Sequence, residues 1–486
     1  MISDKVQKQY TPTIGIECHV QLKTKTKLFS AAGNDAREAL PNTLISHIDL
    51  GMPGALPVLN EKAVELGMRA AFALNTKPQK LSTFDRKHYF YPDLPTGYQI
   101  TQFYNPIIKG GHVIVNVDGK EIKVNIHEAH LEADAGKSIH PTGKDYSLID
   151  LNRVGTPLLE IVSEPDMHSA LEAKAYAKEL YLLMRYAEVS DANLFYGNMR
   201  FDVNVSISTD TNKLGTRSET KNLNSFKSVE KAVEYEVKRQ IELLEKGQTV
   251  IQETRGWDDA KQKTFSQRGK EEAHDYRYMP DPDIPPIELT DSVIASTQSS
   301  MPKLPNELRD KLQSLGLSNS ATETLIEEMP AGKFVIGLLD KGFNNIDVKR
   351  IANWLTSEVQ ARVTSAQLTW ENAKLEPASL MLLAQMVSKN EISSTGAKVV
   401  LGELVTNGGD ALKIAESKNL LQVSNEDELT KIVEKVLAEN PKAAADIKAG
   451  EMKAIGFMVG QIMKASQGKA NPSLTQTLIK KLLQSK

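Results

Sequence analysis

The chain has one cysteine, Cys18, among its 486 residues. A single thiol excludes an intrachain disulfide and any structural zinc site with Cys₄ or Cys₂His₂ ligands. Because Cys18 lies among alternating apolar residues, we expect it to be a small buried side chain. Long apolar segments are also lacking, since no run approaches the ~20 residues that span a bilayer. The N-terminal residues contain no apolar signal segment, so we expect a cytoplasmic protein.

Neither acidic nor basic residues are in large excess, since the formal net charge is −3. There is therefore no overall basic field for nucleic acid and none for an acidic membrane. Two phosphate-binding patterns are missing: no GxGxxG follows a strand, and no GxxxxGK[ST] occurs. Strands and helices do not alternate regularly, which argues against a Rossmann fold or a TIM barrel. If the protein binds ATP, it does so without a standard phosphate loop.

The segment 14–22 carries an unusual pair of polar residues. Its apolar residues alternate with Glu17, His19 and Gln21, which predicts a strand with one buried face. Glu17 and His19 then lie about 7 Å apart along the strand. A carboxylate and a neutral imidazole form a ligand set for Mg²⁺, Mn²⁺ or Zn²⁺. The alternative is an ordinary solvated strand face.

Further acids occur in similar positions. Asp202 lies on the polar face of the alternating segment 199–207, and Glu160 interrupts an apolar run at 157–162. Glu132 and Glu219 stand in polar, turn-rich segments, where each could also be a simple surface acid. Acidic residues are depleted in strands, and burying a carboxylate without a partner is unfavourable in free energy. Several carboxylates that meet in one sheet would need a cation, which a metal-bound polyphosphate would provide.

The fold class that we predict is α+β. Up to about residue 289 the chain has the pattern of a mixed sheet with interspersed helices; strands are expected at 14–22, 112–117, 121–128 and 199–208, and helices at 61–74, 170–187 and 229–244. Four prolines between 279 and 286 mark a boundary, and helical periodicity follows. We predict a cradle domain at 1–292, a helical domain at 293–400 and a smaller helical tail at 401–486.

Two segments have the composition of RNA-binding surfaces. Between 85 and 99, basic residues precede aromatic ones, which gives Arg86, Lys87, Tyr89 and Tyr91 as candidates. The alternative there is an aromatic core segment with a basic flank. From 451 onward six lysines face one acid, and a solvated C-terminus is the alternative to a phosphate-binding surface. The candidates in the tail are Lys453, Lys464 and Lys469.

Seven motifs occur in a characteristic order, at 14–22, 84–93, 134–137, 150–158, 221–226, 275–283 and 460–465. Together they closely resemble the B subunits of the bacterial glutamine-dependent aspartyl/glutamyl-tRNA amidotransferases, from about Thr13 to the C-terminus. The resemblance implies a cradle domain for the 3′ end of a misacylated tRNA, a helical domain and a tail similar to the YqeY proteins. The matching positions for Mg²⁺ and catalysis are Glu17, His19, Glu132, Glu160, Asp202 and Glu219.

The activity that this resemblance implies is that of a ligase which forms carbon–nitrogen bonds with glutamine as amido-nitrogen donor. ATP would phosphorylate the side chain of Glu on tRNA(Gln), or of Asp on tRNA(Asn). Ammonia from a glutaminase A subunit would then displace the phosphate, and a small C subunit would complete a heterotrimer. ATP and Mg²⁺ are the expected cofactors. We expect Glu17, His19 and Glu160 as metal ligands, with Asp202 and Glu219 at a second site or in ammonia handling.

Two departures from the family pattern affect these expectations. Ala133 stands where the family usually has a second Glu. If that Glu is a metal ligand, this protein must use Glu132, Asp134 or water instead, and the metal affinity could be lower. The segment 42–54 has no cysteine, unlike many relatives, so no zinc is expected. A non-catalytic tRNA-binding scaffold remains an alternative, and a carbohydrate hydrolase with paired acids is a remote one.

Overall fold

A computed structural model describes residues 9–210, 213–269, 276–370, 372–422, 426–449, 451, 453–466 and 469–484. Asp275 of the sixth motif, Lys486 of the tail and the N-terminal residues lie outside these ranges. The chain divides into two compact units, one up to Pro305 and the other from Asn306 onward. In the part described, no helix combines the length and the apolar character needed to cross a membrane.

The first unit is built on a mixed sheet of nine strands. Its order is β14-β13-β12-β11-β1-β10-β7-β5, and β6 also pairs with β7. Pairing is antiparallel throughout except between β12 and β13. The strands of this sheet are β1 (Thr11–Gln21), β5 (Ile108–Lys109), β6 (His112–Val117), β7 (Lys120–Ala133), β10 (Pro157–Ser163), β11 (Met199–Ser208), β12 (Ser218–Leu223), β13 (Glu253–Asp258) and β14 (Lys263–Gly269).

Seven short strands form three smaller sheets. One has the order β15-β3-β4, and the others pair β16 with β2 and β8 with β9. Their bounds are β2 (Leu81–Ser82), β3 (Asp85–His88), β4 (Tyr98–Thr101), β8 (Lys137–Ile139), β9 (Leu148–Asp150), β15 (Met279–Pro280) and β16 (Ile287–Glu288). The proline-rich segment after Tyr278 therefore contributes two edge strands to the first unit rather than a free linker.

The core of this unit lies on one face of the large sheet. Ile14, Ile16, Cys18 and Val20 of β1 are almost completely buried there, as the alternation predicts. Three helices, Glu61–Ala73, Ala170–Tyr186 and Phe226–Glu245, contribute apolar residues to the same core. Burial of these residues is the main favourable term in folding. Because successive side chains of a strand point to opposite faces of the sheet, the polar residues of β1 must lie on the face away from this core.

Local signals account for several element boundaries. Asn60, Ser169 and Ser225 are the N-cap residues of the three helices. The side chain of each accepts a hydrogen bond from a backbone N–H in the first turn of its helix. Asp118 and Gly119 form the two-residue turn of the β6–β7 hairpin, and both have positive φ, 51° and 77°. This is the backbone conformation of the type I′ turn that Asp-Gly favours.

The second unit is helical. Its described α-helices are Pro305–Ser314, Asn319–Glu327, Met329–Asp340, Asn345–Trp354, Gln360–Ser365, Pro377–Ser388, Ser394–Asn407, Ala411–Ser417, Glu426–Glu439, Pro441–Lys448, Lys453–Ala465 and Pro472–Gln484. Leu355–Val359 is a π-helical turn, and the first unit ends with the helix Asp291–Ser299. The fold class is thus α+β, as predicted.

The last four helices share a small core of their own, which includes Leu429, Val433, Met458, Ile462 and Ile479. The helix Ser394–Asn407 runs across residue 400, where the sequence places the start of the tail domain. The division of the helical part into two domains stays a prediction.

Candidate active site

Five neighbouring strands bring all six predicted site residues to the polar face of the large sheet. β1 supplies Glu17 and His19, and its two neighbours supply Asp202 and Glu160. In the pairing registers Glu17 lies opposite Asp202, and His19 lies opposite Glu160. β7 adds Glu132 and β12 adds Glu219 as the next strands on either side. The six side chains form two groups of three.

The first group is His19, Glu132 and Glu160. The Nε2 atom of His19 lies 3.7 Å from Glu132 Oε1 and 3.5 Å from Glu160 Oε2. A second imidazole, that of His130, belongs to the same cluster: its Nε2 lies 3.1 Å from Glu160 Oε2 and 3.8 Å from Glu132 Oε2. The cluster is therefore two carboxylates held between two imidazoles.

Burial and charge act in opposite directions on these groups. Burial alone would lower the pKa of His19, but the carboxylates of Glu160 and Glu132 raise it to about 9. The same opposition raises the pKa of His130 to about 10. Burial alone would raise the pKa of Glu160, but the two imidazoles hold it well below its usual range. Without a bound cation, protons on the histidines therefore balance the charge of the acids.

The second group is Glu17, Asp202 and Glu219. The Nζ atom of Lys221 lies 2.8 Å from Asp202 Oδ2 and 3.1 Å from Glu219 Oε1. Each of the three acids also accepts a hydrogen bond from an uncharged donor. Asn204 Nδ2 donates to Glu17 Oε1 at 2.9 Å, the Asn222 N–H donates to Asp202 Oδ1 at 2.8 Å, and Thr254 Oγ1 donates to Glu219 Oε2 at 3.1 Å.

Glu17 and Asp202 differ in how well their charge is balanced. Burial raises the pKa of Glu17, and the nearby carboxylates of Glu160 and Glu219 raise it further. Burial would also raise the pKa of Asp202, but Lys221 and His19 lower it. One lysine thus compensates only part of the charge of three acids. The remaining negative charge favours a cation at this group.

Both groups fit a divalent cation by their donor atoms. Within each group, one ligand atom per residue lies within 4.8 Å of the others. The donors are carboxylate oxygens and one imidazole nitrogen, which Mg²⁺ and Mn²⁺ accept. Glu132, Asp202 and Glu219 are almost fully buried, with 3–4% of each residue exposed. Such buried acids are tolerated when they are paired or when they bind a cation.

A loop that the sequence assigns to RNA binding borders this face. Lys87 and Tyr89 line a cavity of about 240 Å³ together with five of the six predicted site residues, Glu219 being the exception. Tyr89 and Tyr91 also line an adjoining cavity of about 460 Å³ that includes Glu17 and Glu219. Arg86 is placed differently, since its guanidinium lies 2.8 Å from Asp281 and 2.9 Å from Asp283. Its charge is balanced within the fold.

The three lysines of the tail lie in the second unit. Lys453 and Lys464 are exposed on the helix Lys453–Ala465, and Lys469 is partly buried. The Nζ atom of Lys469 donates to Asn419 Oδ1 at 2.7 Å. Their role in RNA binding stays a prediction.

Several residues of the site were not predicted, among them His130, Asn204, Lys221 and Thr254. Asp134, which the sequence offers only as a possible substitute ligand, lies 3.2 Å from Arg200 Nη2. For His130 a signal existed: His130 and Glu132 have the same two-residue spacing on β7 that Glu17 and His19 have on β1. Lys221 could not be identified in this way, because only the register of β11 and β12 places it beside Asp202.

Ala133, the departure from the family pattern, does not belong to the acidic face. Its side chain packs against the hydrophobic core, next to the buried Leu131 in the alternation of β7. Its carbonyl oxygen accepts a hydrogen bond from Gln99 Nε2 at 2.9 Å. The alanine at this position therefore removes no ligand from either group of acids.

Comparisons with known proteins identify the family to which the chain belongs. Residues 12–295 match the family described as "GatB/GatE catalytic domain", and residues 338–483 match that described as "GatB domain". Proteins named as the B subunit of an aspartyl/glutamyl-tRNA(Asn/Gln) amidotransferase are similar over nearly their full length. Those of Persephonella marina and Desulfotalea psychrophila are each 43% identical over 98% of this chain, and the matches cover 100% and 99% of these relatives. That of Coxiella burnetii is 44% identical over 98% of this chain and 100% of the relative. The chain belongs to the family of aspartyl/glutamyl-tRNA amidotransferase B subunits.

Proposed function

We propose that this chain activates the side-chain carboxylate of a misacylated tRNA with ATP and directs its conversion to an amide. The substrate is Glu on tRNA(Gln), Asp on tRNA(Asn), or both. Ammonia comes from a glutaminase A subunit, and a small C subunit completes the heterotrimer. The relatives' names, which specify one component of an amidotransferase for tRNA(Asn) and tRNA(Gln), support this choice. The reaction takes place in the cytoplasm.

The observation that carries the proposal is the pair of acidic groups on one face of the sheet, with each group's ligand atoms within 4.8 Å of one another. A tRNA scaffold has no need for several carboxylates of which three are almost completely buried. Transfer of a phosphoryl group to a carboxylate does have that need, because it brings anions together and depends on cations and alignment.

Mg²⁺ would be held by His19, Glu132 and Glu160 on one side, and by Glu17, Asp202 and Glu219 on the other. When bound, it would neutralise the phosphate charge that opposes attack by the substrate carboxylate. The protein keeps these ligands ready. Lys221 lowers the pKa of Asp202 against the effect of burial, and the histidines do the same for Glu160. Asp202 and Glu160 thus remain ionised at neutral pH.

Two cationic side chains of the protein are suited to hold the substrate anions. Lys87 and Lys221 both line the cavities that contain the acids. Burial alone would lower the pKa of Lys87, but Tyr278 and Glu132 raise it, so its ammonium is charged. An activated acyl phosphate hydrolyses readily, and binding in a cavity bordered by Lys87 and Tyr89 would limit its contact with water.

The test is ATP-dependent amide formation on Glu-tRNA(Gln) with the complete heterotrimer. Wild type is compared with His19→Ala and Glu17→Gln, and Glu121→Gln is the control because Glu121 is exposed at the far end of β7. We expect both site variants to lose amide formation by at least about 100-fold. Glutaminase activity should be retained. Full amide formation in His19→Ala would overturn the proposal and leave the chain as a tRNA scaffold.

A further inference from the structure

A fully buried carboxylate, that of Glu236, lies on the opposite face of β12 from the acids. Glu236 belongs to the helix Phe226–Glu245 and has no exposed surface. Ser218 and Glu219 are adjacent on β12, so their side chains point to opposite faces of the sheet. Ser218 Oγ donates a hydrogen bond to Glu236 Oε2 at 2.7 Å, whereas Glu219 lines the cavity of the site. The buried carboxylate therefore holds the residue that directly precedes a candidate metal ligand.

Glu236 also binds the two strands that follow β12 in the sheet. Its Oε1 atom lies 3.0 Å from Arg255 Nε on β13 and accepts a hydrogen bond from Thr264 Oγ1 on β14. From its own helix, Arg239 Nη2 lies 2.8 Å from Oε2. Burial would raise the pKa of Glu236, but Arg239, Ser218 and Thr264 lower it. One ionised carboxylate thus contacts β12, β13 and β14 at once.

The strand pairing that Glu236 spans is short. β12 and β13 are parallel, and their register covers three residue pairs, in which Glu219 lies opposite Thr254 and Thr220 lies opposite Arg255. Parallel pairs are slightly less stable per residue than antiparallel ones. Thr254 points to the acids, where its Oγ1 donates to Glu219 Oε2 at 3.1 Å, and the adjacent Arg255 points to Glu236. Both strands are therefore held from the face away from the acids.

We propose that Glu236 is a positioning residue for the second group of acids. By binding Ser218 on β12 and Arg255 on β13, it fixes Glu219 and Thr254 relative to each other. Groups that orient metal ligands contribute to metal affinity although they do not touch the metal. The inference rests on the proposed function, since it concerns the cation that the second group would hold. The first group lies on β1, β10 and β7, beyond β11 in the order of the sheet, and does not depend on Glu236.

A purely stabilising network is the alternative, and a second buried carboxylate of the first unit separates the two. Asp49 lies 3.4 Å from Lys27 Nζ and accepts a hydrogen bond from Ser30 Oγ at 3.0 Å. Asp49→Asn removes a buried negative charge from its partners, as Glu236→Gln does. Because its partners lie in the segment that follows β1, it affects stability without acting on β12 or β13. Asp49→Asn is therefore the matched control.

The experiment measures Mn²⁺ binding to the intact heterotrimer by electron paramagnetic resonance of the free ion. Glu219→Gln identifies the ion of the second group, and Glu132→Ala identifies that of the first. We expect Glu236→Gln to weaken binding of the second ion about tenfold and to leave the first unchanged. Ser218→Ala should weaken the second ion by a smaller factor, and adding it to Glu236→Gln should cause no further loss. Asp49→Asn should bind both ions like wild type. Ser218→Ala also carries the test if Glu236→Gln does not fold.

Three results would overturn the inference: unchanged affinity for the second ion in both Glu236→Gln and Ser218→Ala, an equal loss at both groups, or the same loss in Asp49→Asn. The last two would leave the network as a stabiliser of the fold. Failure of the proposed function is distinguishable, because it appears in the wild type. A wild type that binds both ions but forms no amide would contradict the proposed function alone, and one without the second ion would overturn both.

Discussion

His130 and Glu160 are direct partners in the register of β7 and β10, with His130 Nε2 3.1 Å from Glu160 Oε2. Glu160 and Glu132 raise the pKa of His130 to about 10 against the effect of burial. The raised pKa means that folding stabilises the protonated form of the ring. The contribution of this ion pair to the free energy of unfolding is therefore fully present below about pH 6.5. It disappears as the pH rises through about 10.

We therefore expect the ring of His130 to remain protonated from pH 5 to pH 8 in protein freed of divalent metal. NMR of ring-labelled histidine follows each residue separately. His112 serves as the internal control, because burial and Lys123 lower its pKa below 6.5. A midpoint for His130 near 6.5 would contradict the ion pair with Glu160.

Lys221→Met removes the ammonium that lies between Asp202 and Glu219. Burial then acts on Asp202 against less opposition, because only His19 and the backbone N–H of Asn222 still lower its pKa, so the pKa of Asp202 rises. In wild type the lowered pKa of this group contributes stability above about pH 3.8, and the contribution is lost as the pH falls through the folded-state pKa. We expect a loss of about 2 kcal/mol at pH 7 and acid unfolding at a higher pH. Circular dichroism measures both.

The matched control for that variant is Lys231→Met. Lys231 forms an exposed pair with Glu234, three residues along the same helix. Such exposed pairs contribute little to stability, so this variant should unfold like wild type. Identical acid transitions in Lys221→Met and Lys231→Met would show that Lys221 does not balance the acids.

Glu132 and Ala133 are adjacent but belong to opposite faces of β7. We expect Glu132→Ala to weaken Mn²⁺ binding at least about tenfold, because it removes an oxygen donor from the first group. Ala133→Glu should leave the affinity unchanged, since its side chain starts from the core face. Electron paramagnetic resonance of free Mn²⁺ measures both. Tighter binding in Ala133→Glu would mean that the family's second acid reaches the site.

Lys27 and Asp49 form a buried ion pair in the first unit, with Nζ 3.4 Å from Oδ2 and exposed side-chain fractions of 0% and 3%. Asp49→Asn leaves the lysine charge without its counter-ion, and we expect a loss of about 3 kcal/mol in the free energy of unfolding. Replacing Lys27 with Met in the same background should restore part of this loss. Urea denaturation measures the single and double variants. Additive losses would contradict the pairing.

Local patterns predicted much of the first unit. The helices expected at 61–74 and 170–187 occupy Glu61–Ala73 and Ala170–Tyr186, and the strand expected at 199–208 occupies Met199–Ser208. These elements have a clear hydrophobic period or capping residues, so neighbours along the chain determine them. The strand expected at 121–128 continues to Ala133, because pairing with β10 extends it through the polar residues.

Long-range pairing was beyond the sequence pattern. The two-residue strands β5, β15 and β16 form only by pairing with strands that are distant in the sequence. The same limit applies to the site. Glu17 and His19 share a face because side chains two residues apart on a strand point in the same direction. The contact of Lys221 with Asp202 depends instead on the pairing of β11 with β12. The sequence pattern selected the same five acids and one histidine that the family resemblance matches, but it could not show that these side chains lie close together.

The spread of the site along the chain has a consequence for biosynthesis. Its first candidate ligand is residue 17 and its last is residue 219, and β1 pairs with one strand from the middle and one from the end of that interval. The first group needs residues only up to 160, but a nascent chain on the ribosome cannot assemble the second until residue 219 has emerged. The growing polypeptide thus keeps the acids of the second group apart, and both candidate cation sites are complete only after the central strand has gained its two neighbours.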